Sequence, residues 1–174
     1  MIRDEDKMVN EKKTLYIETT IPSYATSRES SNLVIAARQF LTKRFWEEEY
    51  DNYQLYTSQY VIDECKLGDP EAARRRLNFL LGIAVLPRTK TITELAAAYF
   101  NLLKIPGRAK SDCFHLATCV IVKIDYLLSW NCTHLGFASY VKAVEYNNKR
   151  GLWTPLLVTP DYLLNLADHE EETT

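Results

Sequence analysis

Thr14-Leu15-Tyr16-Ile17-Glu18 reads as a short strand that ends on an acid. The run is too apolar for a strand with one wet face, so both faces must be covered, as in a parallel sheet between helices. Similar runs recur at Gln54–Thr57, Ile83–Leu86, Tyr126–Ser129 and Pro155–Thr159. Helical stretches lie between them: Asn32 to Tyr50, Gln59 to Leu67, Glu71 to Leu81, Thr91 or Thr93 to Leu103, Ala109 to Lys123 and Tyr140 to Lys149. Asp161 to Leu166 closes the pattern. Ser58 suits a helix cap, and Gly68-Asp69-Pro70 suits one helix ending and the next beginning. In Asn32 to Tyr50, residues Leu33, Ala36, Ala37, Phe40, Leu41 and Phe45 share one face, which is expected to turn inward. Strands alternating with helices predict an α/β fold, a three-layer α/β/α sandwich with a central parallel sheet.

The chain has 174 residues, enough for one domain with a sizeable core. Residues 1–13 and 168–174 are polar and charged and are expected to be a loose leader and an acidic tail around a single domain, 14–167. With 47% hydrophobic and 25% charged residues, the composition is that of a soluble globular protein. Net charge is -2, so any nucleic-acid contact must come from local basic patches and bound metal. No apolar run approaches the ~20 residues of a membrane span. The polar leader and the apolar surroundings of at least three of Cys65, Cys113, Cys119 and Cys132 predict a cytoplasmic protein with reduced thiols.

Ligands of such sheets bind beyond the carboxyl ends of the strands. Glu18 follows the first strand there, and Ser129 and Asn131 stand at the end of the fourth. Helices run antiparallel to the strands, which brings Asp112, in a first helical turn, and Glu64, on the helix after the second strand, to the same edge. Like charges packed together call for a cation, and hard oxygen donors suit Mg²⁺ or Mn²⁺. A metal-bound water could then attack a phosphodiester.

YIETTIPSYAT (Tyr16–Thr26), VIDECKLGD (Val61–Asp69), SDCFHLATC (Ser111–Cys119) and LLSWNCTHL (Leu127–Leu135), with the closing TPLLVTPDYLL, resemble the PIN domain family in its VapC-like toxin branch. The resemblance spans roughly Thr14 to Leu164. It implies a metal-dependent endoribonuclease, in which Glu18, Glu64 and Asp112 hold the metal and Ser129 and Asn131 complete the catalytic set. It also implies a homodimer and a small antitoxin partner, as in a type II toxin–antitoxin pair. Two positions depart from the pattern: Glu18 stands where aspartate is usual, and Asn131 brings no charge where a fourth acid is usual. Those departures keep a second function open, a PIN-fold binding module with weak or no catalysis.

For RNA contact, Lys104, Arg108 and Lys110 precede Asp112, and Arg74, Arg75 and Arg76 form a second basic group. His115, three residues beyond Asp112, is placed either to steady that carboxylate or to pack as a structural histidine. Cys113 and His115 are two apart on a helix and face different sides, which argues against a shared zinc ion. Glycine-rich phosphate loops are missing.

Overall fold

The structure, a computed structural model, describes residues 12–104, 110–131 and 137–171, with the backbone alone described at 137, 138 and 168–171. Among the described residues the sheet has five strands, β1 (Thr14–Ile17), β2 (Gln54–Ser58), β3 (Ala84–Leu86), β4 (Tyr126–Leu128) and β5 (Leu156–Val158), in the order β3-β2-β1-β4-β5. Every pairing is parallel. β1 is central, and Leu15, Tyr16 and Ile17 are wholly buried, as strands covered on both faces must be. The strand order reverses between β1 and β4, which opens a crevice beyond their carboxyl ends.

At the opposite edge the two strands are clasped. The Thr14 amide and hydroxyl donate to Asp125 Oδ2 at 2.9 and 2.8 Å, and the Asp125 amide donates back to Thr14 Oγ1 at 2.8 Å. That exchange fixes the Leu15–Tyr126 and Ile17–Leu128 register.

Among the described residues, the helices are α1 (Thr20–Thr26), α2 (Leu33–Glu48), α3 (Gln59–Cys65), α4 (Pro70–Phe79), α5 (Lys90–Leu103), α6 (Lys110–Val122), α7 (Phe137–Asn148) and α8 (Pro160–Glu171). They cover the sheet as the outer layers of a three-layer α/β/α sandwich. α5 packs on α6 and α7, while α2 packs on α1 and α8. Side-chain caps set the starts. Asn32 Oδ1 accepts from Val34 and Ile35, Ser58 Oγ from Val61, and Asp69 Oδ1 from Ala72, with Pro70 in the first turn. Gly68, at φ +85°, lets the chain turn between α3 and α4. α6 is the most enclosed helix, buried at Asp112, Cys113 and continuously from His115 to Val120. None of the described helices is long and apolar enough to cross a membrane.

Three expectations change. The segment after Glu18 forms α1, where the sequence pattern showed no helix. The last helix runs past Leu166 to Glu171. In α2 the inward residues are Gln39, Thr42 and Phe45, while Leu33 and Phe40 face solvent. The physical reason is hydrogen bonding. Gln39 Nε2 donates to Ser27 Oγ and the Arg28 carbonyl, and its Oε1 accepts from the Ser30 amide, which pins the α1–α2 loop. Thr42 Oγ1 accepts from Trp130 Nε1 at 2.7 Å.

Leu116→Ala, in the closed core, is expected to lower unfolding free energy by about 2–5 kcal/mol. Phe40→Ala, at a side chain 66% exposed, is expected to shift it by less than about 0.5 kcal/mol. Urea denaturation of both variants checks this; equal losses would mean that α2 packs its apolar side inward.

Candidate active site

Beyond the carboxyl end of β1 the chain turns directly into α1, with the Ile21 amide bonded to the Glu18 carbonyl at 3.0 Å. This turn holds the Glu18 side chain over the crevice, where it is only 6% exposed. Its Oε2 accepts three hydrogen bonds: from the Thr20 amide at 3.0 Å, the Thr20 hydroxyl at 2.6 Å and the Ser129 hydroxyl at 2.8 Å. Ser129 Oγ accepts in turn from the Asn131 amide at 2.9 Å. The Asn131 side-chain amide donates to Asp112 Oδ1 at 2.8 Å. One hydrogen-bonded path thus joins Glu18, Ser129, Asn131 and Asp112, which come from β1, the loop after β4 and the first turn of α6.

Glu64 closes the group from α3. Its Oε2 accepts from the Thr19 hydroxyl and from His115 Nε2, the latter at 3.0 Å. Glu18, Glu64 and His115 each place one metal-capable atom within 4.8 Å of the others. Burial pushes the Glu64 carboxyl up, but the bond and charge of His115, with bonds from Thr19 and Ser111, outweigh it and bring the pKa down from 4.5 to about 2. For His115, burial pushes the imidazole pKa down; the bond and charge of Glu64, with Glu18 and Asp112 behind them, reverse this and raise it.

Glu18, Glu64, Asp112, Ser129 and Asn131 lie at one edge: Glu18 and Glu64 bring ligand atoms within 4.8 Å, while Asp112 is linked to Glu18 through Asn131 and Ser129. His115 does not steady Asp112; its bond goes to Glu64, because the ring turns toward α3. Lys104 ends α5 in a left-handed turn and is exposed, Lys110 opens α6 with its Nζ 5.7 Å from the Phe100 ring, and Arg108 lies outside the described residues. The second basic group is largely structural. Arg75 donates to the Thr26 carbonyl and Arg76 to the carbonyls of Cys65 and Leu67, while Arg74 pairs with Glu71. Cys65, Cys113 and Cys119 are buried free thiols, as expected; Cys132 and His134 lie outside the described residues.

Sequence reasoning missed Thr19, Thr20 and Trp130. The first two are small hydroxyl residues directly after the strand-ending acid, a signal that was legible. Trp130 Nε1 reaches Thr42 on α2 while its amide donates to Thr20 Oγ1 at 2.9 Å, so the ring anchors the Ser129–Asn131 loop.

No protein-family model and no curated protein matches this chain. Solved structures do. A chain of VapBC2 from Rickettsia felis, bound to a DNA fragment from its promoter, aligns at 15% identity and TM-score 0.53, over 84% of this chain and 98% of that one. The fold is PIN-like. A toxin–antitoxin complex from Klebsiella pneumoniae (16%, TM-score 0.52, 85% of this chain, 98% of that) shares it. So does FitAB bound to an IR36 DNA fragment (12%, TM-score 0.53, 84% and 95%). In the PIN-like chain described here, the acids occupy the switch point of the sheet, and their partners leave one oxygen of Glu18 and of Glu64 saturated with donors. Glu18 and Glu64, with Asp112 reached through Asn131, are hard oxygen donors of the kind a divalent cation takes.

Because the Glu64 pKa is lowered on folding, its stabilising share is complete above about pH 4.5 and is lost as pH falls through about 2. In EDTA, urea midpoints taken from about pH 6 down to 2 should fall less steeply for Glu64→Gln than for the wild-type chain. Parallel acid limbs would mean that the Glu64–His115 bond does not form in solution.

Proposed function

We propose that this chain is a divalent-metal-dependent endoribonuclease, the toxin of a type II toxin–antitoxin pair. The observation that carries the reading is the approach of Glu18 and Glu64, ligand atoms within 4.8 Å, at the carboxyl edge of a PIN-like sheet, with Asp112 joined to Glu18 through Asn131 and Ser129. These three residues would hold Mg²⁺ or Mn²⁺. Such an ion, when bound, would supply an acidified water and positive charge for the phosphate oxygens. Thr20 and Ser129 keep Glu18 oriented, and Asn131 fixes Asp112 through its side-chain amide while adding no charge. Lys104 and Lys110, exposed on either side of 105–109, would grip phosphates without reading sequence, and Arg108 belongs to the same proposal.

A small antitoxin partner is part of this reading, supported by the structural neighbour that is a toxin–antitoxin complex. The solvent-facing apolar residues of α2, Leu33, Val34 and Phe40, offer surface for protein contact. A homodimer is proposed as well, two-fold pairs being the commonest oligomers. The free, buried Cys65, Cys113 and Cys119 fit a reducing cytoplasm.

RNA is expected to be cut in the presence of Mg²⁺ or Mn²⁺ and left intact in EDTA. Asp112→Ala should slow cleavage about a hundredfold or more, because metal stabilisation of the transition state is worth several kcal/mol. Cleavage that persists unchanged in EDTA would reject the proposal. Asn131 bonded to Asp112, in place of a fourth acid, favours the alternative of a weakly catalytic binding module; calorimetry showing no Mn²⁺ uptake at millimolar metal would support it. Light scattering at micromolar concentration should give twice the 20.2 kDa chain mass, and a monomer mass would refute the dimer.

A further inference from the structure

The buried imidazole of His115 sits close enough to Glu18 and Glu64 to look like a third metal ligand. Its hydrogen bonds say otherwise. The ring is 1% exposed, with Nδ1 2.9 Å from the Tyr16 hydroxyl and Nε2 3.0 Å from Glu64 Oε2. Behind it, the Tyr16 hydroxyl lies 2.6 Å from Ser58 Oγ, which is itself buried and accepts from the Val61 amide at 3.4 Å.

Proton counting along this chain has few solutions. A neutral ring carries one N–H. Placed on Nδ1, it would leave the Nε2 lone pair facing the Glu64 carboxylate, a repulsive contact. Placed on Nε2, it donates to Glu64, so that Nδ1 must accept from Tyr16 and Tyr16 must accept from Ser58. A protonated ring reverses the outer bonds: Nδ1 donates to Tyr16 and Tyr16 to Ser58. In both satisfied arrangements Nε2 is a donor to Glu64, and its lone pair is unavailable to a cation.

We propose that His115, backed by Tyr16 and Ser58, is a positioning residue for Glu64: it occupies Oε2 and turns the other carboxylate oxygen to the metal. This rests on the metal-site reading above. The mechanism is orientation. Thr19 also binds Oε2, and Ser111 bonds the same carboxylate, so donors from α6 and from the loop after β1 hold it, and it cannot rotate without breaking them. Partners of this kind typically set metal affinity by about 10–100-fold.

The test is Mn²⁺ binding to the full chain, followed by loss of the free-ion EPR signal. His115→Leu should weaken binding by about 10–100-fold. His115→Gln, which keeps an N–H donor near the Nε2 position, should recover most of that loss. Tyr16→Phe should produce part of the loss alone and add little on top of His115→Leu, since both act through one carboxylate. Pulsed EPR of the wild-type Mn²⁺ complex should show no directly bound nitrogen. Nitrogen in the coordination sphere would overturn the proposal, as would a glutamine variant no better than leucine or variants that bind as tightly as wild type. If His115→Leu lacks a cooperative melt, Tyr16→Phe against wild type decides, and unchanged affinity there overturns the claim. A wild-type chain that takes up no Mn²⁺ removes the metal site itself, and this inference with it.

Discussion

Mutual repulsion among crowded, largely enclosed carboxylates is the constraint around which the carboxyl edge of this sheet is organised. Ligand atoms of Glu18 and Glu64 come within 4.8 Å of each other. At an effective dielectric near 20, two unit charges at that separation repel by about 3.5 kcal/mol. A hydrogen bond to a charged group returns about 1.5–3 kcal/mol. The three donors on Glu18 and those on Glu64 are therefore of the right size to hold this pair together. Asp112 adds a third acid to the same edge, with Asn131 bonded to its Oδ1.

Apart from His115, the donors are small polar residues at strand ends or beside an acid in sequence. Thr19 and Thr20 follow Glu18, Ser111 precedes Asp112, and Ser129 and Asn131 leave β4. Each strand end thus brings its own acid or its own hydroxyls, and folding the sheet assembles both. Trp130 points the other way, into the layer containing α2, with Arg38 5.4 Å from its ring centre and Tyr24 edge-on at 6.3 Å. Through this residue the loop that carries Ser129 and Asn131 is tied to α1 and α2.

Much of this was legible in the chain. Apolar runs such as Leu15–Ile17 announce strands covered on both faces, and caps such as Asn32, Ser58 and Asp69 announce helix starts, because their chemistry is local. The acids were legible because strand ends and helix starts converge in any parallel sheet. What escaped depends on distant partners. α1 contains Pro22 and β-branched residues, so its helix owes more to packing on α2 and α4 than to propensity. The orientation of α2 was misread because spacing ranks Leu33 and Phe40 above Gln39 and Thr42, whereas Ser27, Arg28, Ser30 and Trp130 supply polar partners that draw the latter two inward. His115 looked bound to Asp112 through helical proximity, yet its partner is Glu64 on another helix. Arg75 and Arg76 read as a basic group from spacing alone, whereas each also donates to a main-chain carbonyl that only the fold brings near.

The reciprocal bonds between Thr14 and Asp125 lie at the far edge of the sheet from the acids, yet they act on them by lever. A strand advances about 3.3 Å per residue and alternates its side chains between faces. If β1 shifted one step against β4, Glu18 would move by that distance past Ser129 and swing to the opposite side of the sheet. Two small polar side chains at the amino terminus of the strands therefore act as a vernier, holding the alignment on which contacts at the other end depend.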